Sequence, residues 1–221
     1  MTRGILIVFE GCDRSGKTTQ CQKLVQRFHQ QGLPVESIRF PNRSTAIGNI
    51  LDKYLENKAD LSDHALHLLF SANRWELMTN MANKLLEGIN LIVDRYAYSG
   101  VAFSATKPLM DIEWCKQADV GIIKPDVVIF LDSDPSSLQN REGFGVERYE
   151  NVPTQTLAKA NYRQLQDETW KIVNANQSLT EVHEEICKIV ETSIKELEIS
   201  YPPLKRLWVT AERSPTGAPP L

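Results

Sequence analysis

No stretch of this chain stays apolar long enough to cross a bilayer. The opening run in MTRGILIVFEG ends at Glu10 and carries no cleavage pattern, so it reads as a strand, not as a membrane anchor or signal peptide. An excess of basic residues is missing too. Against 28 Asp and Glu stand 25 Lys and Arg, a formal charge of -3, which leaves no global cationic footprint for nucleic acid. Cysteine is scarce. Cys12, Cys21, Cys115 and Cys187 form no CxxC pair and have no histidine at metal-ligand spacing, so they are expected to be reduced thiols of an intracellular, cytoplasmic protein. Internal repeats and fibre-like composition are lacking as well. What is present is an ordinary mixture, 42% hydrophobic and 24% charged over 221 residues, which suits one compact α/β domain.

Short apolar runs alternate with amphipathic stretches. Gly4 to Phe9 is β-branched and aromatic, apolar on both faces as a central parallel strand is. A helix is expected from about Gly16 to Gln31, where Cys21, Leu24, Val25 and Phe28 fall at helical spacing and Gly32 supplies a stop. Val35 to Phe40, Ile89 to Val93 and Val127 to Leu131 read as further strands, and Trp170 to Val173 as a short fifth. Helices are expected around Ile47 to Leu55, over Asp63 to Met78, in a segment ending at Gly88, and from near Pro153. Ser178-Leu179-Thr180-Glu181 matches a capping box, and Val182, Ile186, Ile189 and Val190 continue its stripe. This alternation indicates a parallel sheet covered on both faces, with ligands at the carboxyl ends of the strands. A single domain is expected over residues 1–209, closing on a docked segment at Leu207 and Trp208, with 210–221 a loosely attached polar tail.

Between the first strand and the first helix, Gly11-Cys12-Asp13-Arg14-Ser15-Gly16-Lys17-Thr18 fits G-x-x-x-x-G-K-[ST] without a gap. The glycines let the backbone turn its N–H groups inward, and the helix adds its unsatisfied donors and dipole, which makes an anion cradle. Lys17 is placed to reach the β- and γ-phosphates of a nucleotide, and Thr18 to put a hydroxyl on Mg²⁺. Asp13 is unusual in such a loop. It either ties the loop down or faces an acceptor, where a carboxylate can bind a sugar hydroxyl. The third strand runs into Asp94, which either holds Mg²⁺, directly or through water, or caps a helix. Arg95 beside it places a planar cation near a transferring phosphoryl group. Arg43, Arg74, Arg141 and Arg148 lie in irregular or helical segments. Nucleotide hydrolysis needs one or two such cations, whereas two meeting polyanions need more. Phe70 and Trp75 flank Arg74 on one helix, and periodicity alone assigns them to the core. Gly143 and Gly145, set among charges, read as a polar cover that closes over phosphates and excludes water.

Together, FEGCDRSGKTTQ, RFPNRSTAIG, HLLFSANRWE, LIVDRYAYSGVAFS, WCKQADVG, KPDVVIFL and GFGVERYE resemble the eukaryotic thymidylate kinases of the nucleoside monophosphate kinase superfamily, from Arg3 to about Trp208. The resemblance implies the P-loop nucleoside monophosphate kinase fold, a five-stranded parallel sheet flanked by helices, with a lid at about 133–148. It implies transfer of the γ-phosphoryl group of ATP-Mg to dTMP, giving dTDP and ADP in dTTP biosynthesis, by a homodimer packed through helices, with no nucleic acid or membrane partner. Catalytic roles fall on Arg14, Lys17, Asp94 and Arg95, with the metal at Thr18 and Asp94. ATP contacts fall on Asp13, Arg14, Ser15, Gly16, Lys17, Thr18 and Thr19, on Arg141 in the lid, and on Asn174, Ala175, Asn176 and Gln177, which resemble the loop passing the adenine.

On the acceptor side the resemblance overturns the core reading of Phe70 and stacks it on the thymine ring, with Arg74 at the base edge. Arg43 and Arg95 would hold the acceptor phosphate, and Phe40 and Pro41 line the pocket. Asp13 would take the 3'-hydroxyl, Tyr149 would sit against the sugar and disfavour a 2'-hydroxyl, and Gln155 would be a further nucleotide contact. Ser99, Gly100 and Phe103 would close over base and sugar. Arg14 puts the extra catalytic cation in the loop and not in the lid. Lys107 to Ile112 matches the family less well. The alternatives are a kinase for another nucleotide or for a deoxynucleoside, an unphosphorylated acceptor not needing the paired Arg43 and Arg95, and a P-loop switch or nucleic-acid-associated NTPase, which the missing basic stripe disfavours.

Overall fold

The structure is a computed structural model that describes residues 3–139, 144–200 and 202–209. Five strands, β1 (Leu6–Glu10), β2 (Val35–Arg39), β3 (Asn90–Asp94), β4 (Val127–Asp132) and β5 (Trp170–Asn174), form one parallel sheet in the order β2-β3-β1-β4-β5. The helices in chain order are α1 (Lys17–Gln30), α2 (Ala46–Leu55), α3 (Asp63–Trp75), α4 (Met78–Leu86), α5 (Ala97–Ser104), α6 (Ile112–Gln117), the short α7 (Pro135–Leu138), α8 (Val152–Gln164) and α9 (Leu179–Ser200).

The layering follows from the pleat, because successive side chains of a strand point to opposite faces. On one face of β1, Leu6 and Val8 pack in a cluster with Met81 of α4, Val101 of α5 and Tyr162 of α8. On the other, Ile7 and Phe9 pack with Leu24 and Phe28 of α1 and Ile186 and Val190 of α9. A central strand buried on both sides needs apolar residues at every position, which is why its run is continuous and not alternating. All strands are parallel, so the loops after β1, β2 and β3 gather on one edge. Pairing of Phe9 with Asp94 sets that carboxylate beside the start of the glycine loop.

Some boundaries differ from the sequence reading. The expected helix over Asp63 to Met78 breaks after Trp75, where Glu76 and Leu77 close α3 through 3.0 Å bonds to the Ala72 and Arg74 carbonyls, and α4 starts afresh. Helix α5 had no counterpart in the reading. Ala97, Tyr98, Val101, Ala102 and Phe103 are all buried, so it has no amphipathic stripe to read. The capping box at Ser178 makes both its bonds, Ser178 N to Glu181 Oε2 at 3.0 Å and Glu181 N to Ser178 Oγ at 3.3 Å. Buried Leu207 is tied to the segment before β4 by Gly121 N to Leu207 O at 2.9 Å and Leu207 N to Ile122 O at 2.8 Å. Cys187 does have a histidine neighbour, His183 Nε2 at 3.5 Å, one helical turn earlier. Among the described residues no three ligating side chains cluster, and the four cysteines are free and buried. No helix among these residues is long and apolar enough to cross a membrane. Arg141, Gly143 and the tail 210–221 lie outside the described residues.

Candidate active site

The phosphate loop takes its shape from backbone conformations that only some residues tolerate. Gly11 has φ +141°, and a Cβ there would come 2.7 Å from the Leu131 carbonyl oxygen; Gly16 has φ +98°. A side chain at either position would be strained. Lys17 curls over the loop, its Nζ donating to the carbonyls of Cys12 at 2.6 Å and Gly11 at 3.0 Å. It is buried, and burial together with the Arg95 charge pulls its pKa down to about 8.

Thr18 Oγ1 donates to Asp94 Oδ2 at 2.6 Å, while buried Asp94 Oδ1 has no hydrogen-bond partner among the described residues. A buried carboxylate oxygen with no donor, next to a hydroxyl, is a ligand set that suits a hard divalent cation, so the residues fit Mg²⁺. Asp94 does not cap α5, whose N-cap position is Tyr96.

The arginines are held by carboxylates. Arg14 Nε donates to Glu150 at 2.8 Å. Arg43 reaches Asp52 with one nitrogen and Glu147 with the other, each at 2.6 Å. Arg95 pairs with Asp13 and also donates to Ser99 Oγ at 3.1 Å. Burial pushes the Asp13 carboxyl up, but the charges of Arg95 and Lys17 and a 2.5 Å bond from the Gln155 amide outweigh it and hold it below the ordinary range. Glu150 in turn accepts backbone N–H bonds from Gly145, Val146 and Glu147 at 3.0–3.2 Å, so it joins the base of the expected lid to Arg14.

The other end of the site is apolar. Phe40, in a cis bond to Pro41, packs against Tyr96 with ring centroids 5.9 Å apart, and Phe103 meets Tyr149 at 5.5 Å. Arg74 is pinned beneath by Asp119, Nε to Oδ1 at 2.8 Å and Nη2 to Oδ2 at 2.6 Å. A Cβ on Gly100 would lie 2.7 Å from Arg74 Nη2, so only a hydrogen fits where α5 passes the guanidinium.

One cavity of about 500 Å³ unites these parts. Of the residues expected in the site, Asp13, Arg14, Gly16, Lys17, Thr18, Thr19, Asp94 and Arg95 line the part built by the glycine loop and the end of β3. Phe40, Pro41, Arg43, Phe70, Arg74, Ser99, Gly100, Phe103 and Tyr149 line the rest. Trp75 is not core as periodicity had it: it is 40% exposed, its indole N–H donating to the Ala118 carbonyl. Among the described residues, three expected residues or groups do not line the cavity: Gln155, Ser15 and the loop Asn174 to Gln177. Gln155 is fully buried, its amide bonded to Asp13 and to the Tyr149 carbonyl. Ser15 is buried, its Oγ accepting from Lys17 Nζ at 3.3 Å. Asn174 to Gln177 follow β5, with Ala175 N donating to Asp132 O at 2.8 Å. Arg141 is outside the described residues.

A thymidylate kinase family model matches residues 9–186. The chain belongs to the thymidylate kinase family. It is 49% identical over 209 residues to thymidylate kinase of Danio rerio, covering 93% of this chain and 98% of that one. To the Homo sapiens thymidylate kinase it is 47% identical over 209 residues, with the same two coverages of 93% and 98%. A solved thymidylate kinase from Candida albicans superimposes with a TM-score of 0.83 at 34% identity, over 93% of this chain and 99% of that one. For a thymidylate kinase, the carboxylates Asp52, Asp119, Glu147 and Glu150 are the part of the site that sequence reasoning missed. The ExxE spacing within GVERYE is a local signal for Glu147 and Glu150 alone.

Proposed function

We propose that this thymidylate kinase transfers the γ-phosphoryl group of ATP to dTMP, giving dTDP and ADP, a step toward dTTP. One cavity carries the reading: it brings Arg14, Lys17, Arg43 and Arg95 together with Phe70 and Arg74. Four cations in one cleft suit two meeting phosphates, and a flat ring beside a fixed guanidinium suits a nucleobase.

The donor phosphates take the loop, gripped by the backbone and side chains of Ser15, Gly16, Lys17, Thr18 and Thr19. Lys17 gives up its carbonyl partners for phosphate oxygens, an exchange of neutral for charged acceptors. Thr18 and Asp94 hold Mg²⁺, which when bound neutralises charge on the β- and γ-phosphates. Arg14 releases Glu150 to bind the phosphates being joined. Arg43 and Arg95 hold the acceptor phosphate, exchanging their carboxylate partners for a dianion. Asp13, left by Arg95, accepts from the 3'-hydroxyl while Gln155 keeps it in place.

Phe70 stacks on thymine, and Arg74, fixed by Asp119, donates to the base edge. Phe40 and Pro41 form a wall, Ser99, Gly100 and Phe103 close over base and sugar, and Tyr149 crowds a 2'-hydroxyl. The thymine methyl in an apolar pocket is worth about 1–3 kcal/mol, so preference over dUMP is about 10–200-fold. Arg141 and the loop Asn174 to Gln177 serve the adenine side. A second copy of the chain covers exposed Ile50, Leu68, Trp75 and Trp114 on α2, α3 and α6. Free buried thiols suit the reducing cytoplasm.

The test compares dTMP with thymidine as acceptor, with ATP and Mg²⁺. Phosphorylation of dTMP alone is expected. Equal turnover of thymidine, or ATP hydrolysis independent of any acceptor, refutes the reading of Arg43 and Arg95 as a phosphate clamp.

A further inference from the structure

Glu10, the last residue of β1, is fully buried and does not line the cavity, and no step above uses it. Its carboxylate is nevertheless surrounded by donors. Helix α5 starts at Ala97 with Tyr96 at its N-cap, and no side chain of its own caps it. Helix starts leave N–H groups without intrahelical partners. Glu10 Oε1 accepts from Tyr96 N at 2.9 Å and from Ser99 N at 3.0 Å. These are the N-cap and N3 donors that a capping box serves with two side chains of the same helix. Here one carboxylate from another strand serves both.

The second oxygen continues the link. Glu10 Oε2 accepts from Ser99 Oγ at 2.5 Å and from the Tyr162 hydroxyl at 3.1 Å. With its proton committed to Glu10, Ser99 Oγ presents a lone pair to Arg95 Nη1 at 3.1 Å. Arg95 itself sits at φ +67°, a left-handed conformation that side-chain-bearing residues rarely adopt. Its own N–H is bonded to Phe9 O at 3.0 Å, and the next N–H, that of Tyr96, is the one Glu10 holds. The strained residue is therefore clamped on both sides by neighbouring residues of β1.

We propose that Glu10 is a positioning residue for Arg95: it caps α5 from the adjacent strand and orients the Ser99 hydroxyl, and so fixes where the guanidinium stands over the phosphate loop. The inference rests on the reading of Arg95 as a cation of phosphoryl transfer. Glu10→Gln keeps the size of the side chain but sets an amide NH₂ against the two hydroxyls.

Steady-state kinetics with ATP-Mg and dTMP, alongside thermal melts, compare wild type, Glu10→Gln, Arg95→Ala and the double variant. Glu10→Gln is expected to lower kcat about 100-fold, the scale of a misplaced catalytic group, with the KM for ATP unchanged. In the Arg95→Ala background the same change is expected to cost less than about threefold, because both act through one guanidinium. An equal loss in both backgrounds, or wild-type kcat in Glu10→Gln, overturns the proposal. Wild-type kcat in Arg95→Ala alone removes the reading it rests on and the proposal with it. Should Glu10→Gln not fold, Ser99→Ala carries the test, since both backbone bonds to Glu10 remain. It is expected to lower kcat about tenfold in the wild-type background and not in Arg95→Ala; any other pattern overturns the link through Ser99.

Discussion

Replacing Asp119 separates what holds the fold from what reads the base. Arg74 and Asp119 face each other with side-chain exposures of 2% and 0%, joined as a bidentate fork, and Ser71 Oγ adds a bond to Asp119 at 3.0 Å. Asp119→Ala strands a buried guanidinium, which costs about 3–5 kcal/mol. For a domain of this size each kcal/mol moves Tm by about 2–4 °C, so scanning fluorimetry should record a drop of about 6–20 °C. Replacing both partners, Arg74→Met with Asp119→Leu, leaves no stranded charge and should recover most of that drop. It should not recover recognition. Without the Arg74 donors the KM for dTMP is expected to stay at least about tenfold above wild type. An unchanged Tm in Asp119→Ala refutes the buried-pair argument, and a normal KM in the double variant refutes the base-reading role of Arg74.

Further expectations follow from the same geometry. Asp13→Asn should raise the KM for dTMP by about 10–100-fold through loss of a charged acceptor, while ATP affinity by equilibrium titration stays near wild type; the reverse pattern would return Asp13 to a purely loop-tying role. Gly100→Ala should raise the KM for dTMP and leave that for ATP unchanged, because its Cβ would sit 2.7 Å from an Arg74 nitrogen that Asp119 keeps from moving aside. His67 is buried between Ser104 Oγ and the Cys115 carbonyl, and burial pulls its pKa below the ordinary value. The unfolded chain then takes up this proton first as pH falls through about 6.5, so stability is lost on acidification by up to about 1.4 kcal/mol per pH unit between the two pKa values. His67→Gln should flatten this part of the Tm profile between neutral and mildly acid pH, and identical profiles would refute the assignment.

The sheet and the phosphate loop were legible because their signals are local. A strand buried on both faces must be apolar throughout, and a loop with φ of +141° and +98° at Gly11 and Gly16 announces its glycines. Helix α5 was illegible for the opposite reason, since burial around its whole circumference erases the stripe that periodicity detects. The break between α3 and α4 falls at Glu76 and Leu77 with no Gly or Pro there, so nothing in the sequence marks it. In the site, the cations could be listed from sequence but their partners could not. Arg74 meets Asp119 across 45 residues, Arg43 meets Glu147 across 104 and Arg14 meets Glu150 across 136, pairings that only the finished fold creates. Gln155 shows the same limit. Its amide bonds to Asp13, 142 residues away.

The central claim is that a cavity lined by Arg14, Lys17, Arg43 and Arg95 and by Phe70 and Arg74 selects one acceptor, and competition tests it most directly. Radiolabelled γ-phosphate ATP with Mg²⁺ is mixed with equal concentrations of dTMP, dCMP, UMP and dUMP, and the labelled diphosphates are separated. The account predicts that nearly all label enters dTDP, with dUDP trailing by about 10–200-fold, the value of one buried methyl group. Label spread evenly over the four products, or released as inorganic phosphate without an acceptor, would contradict it.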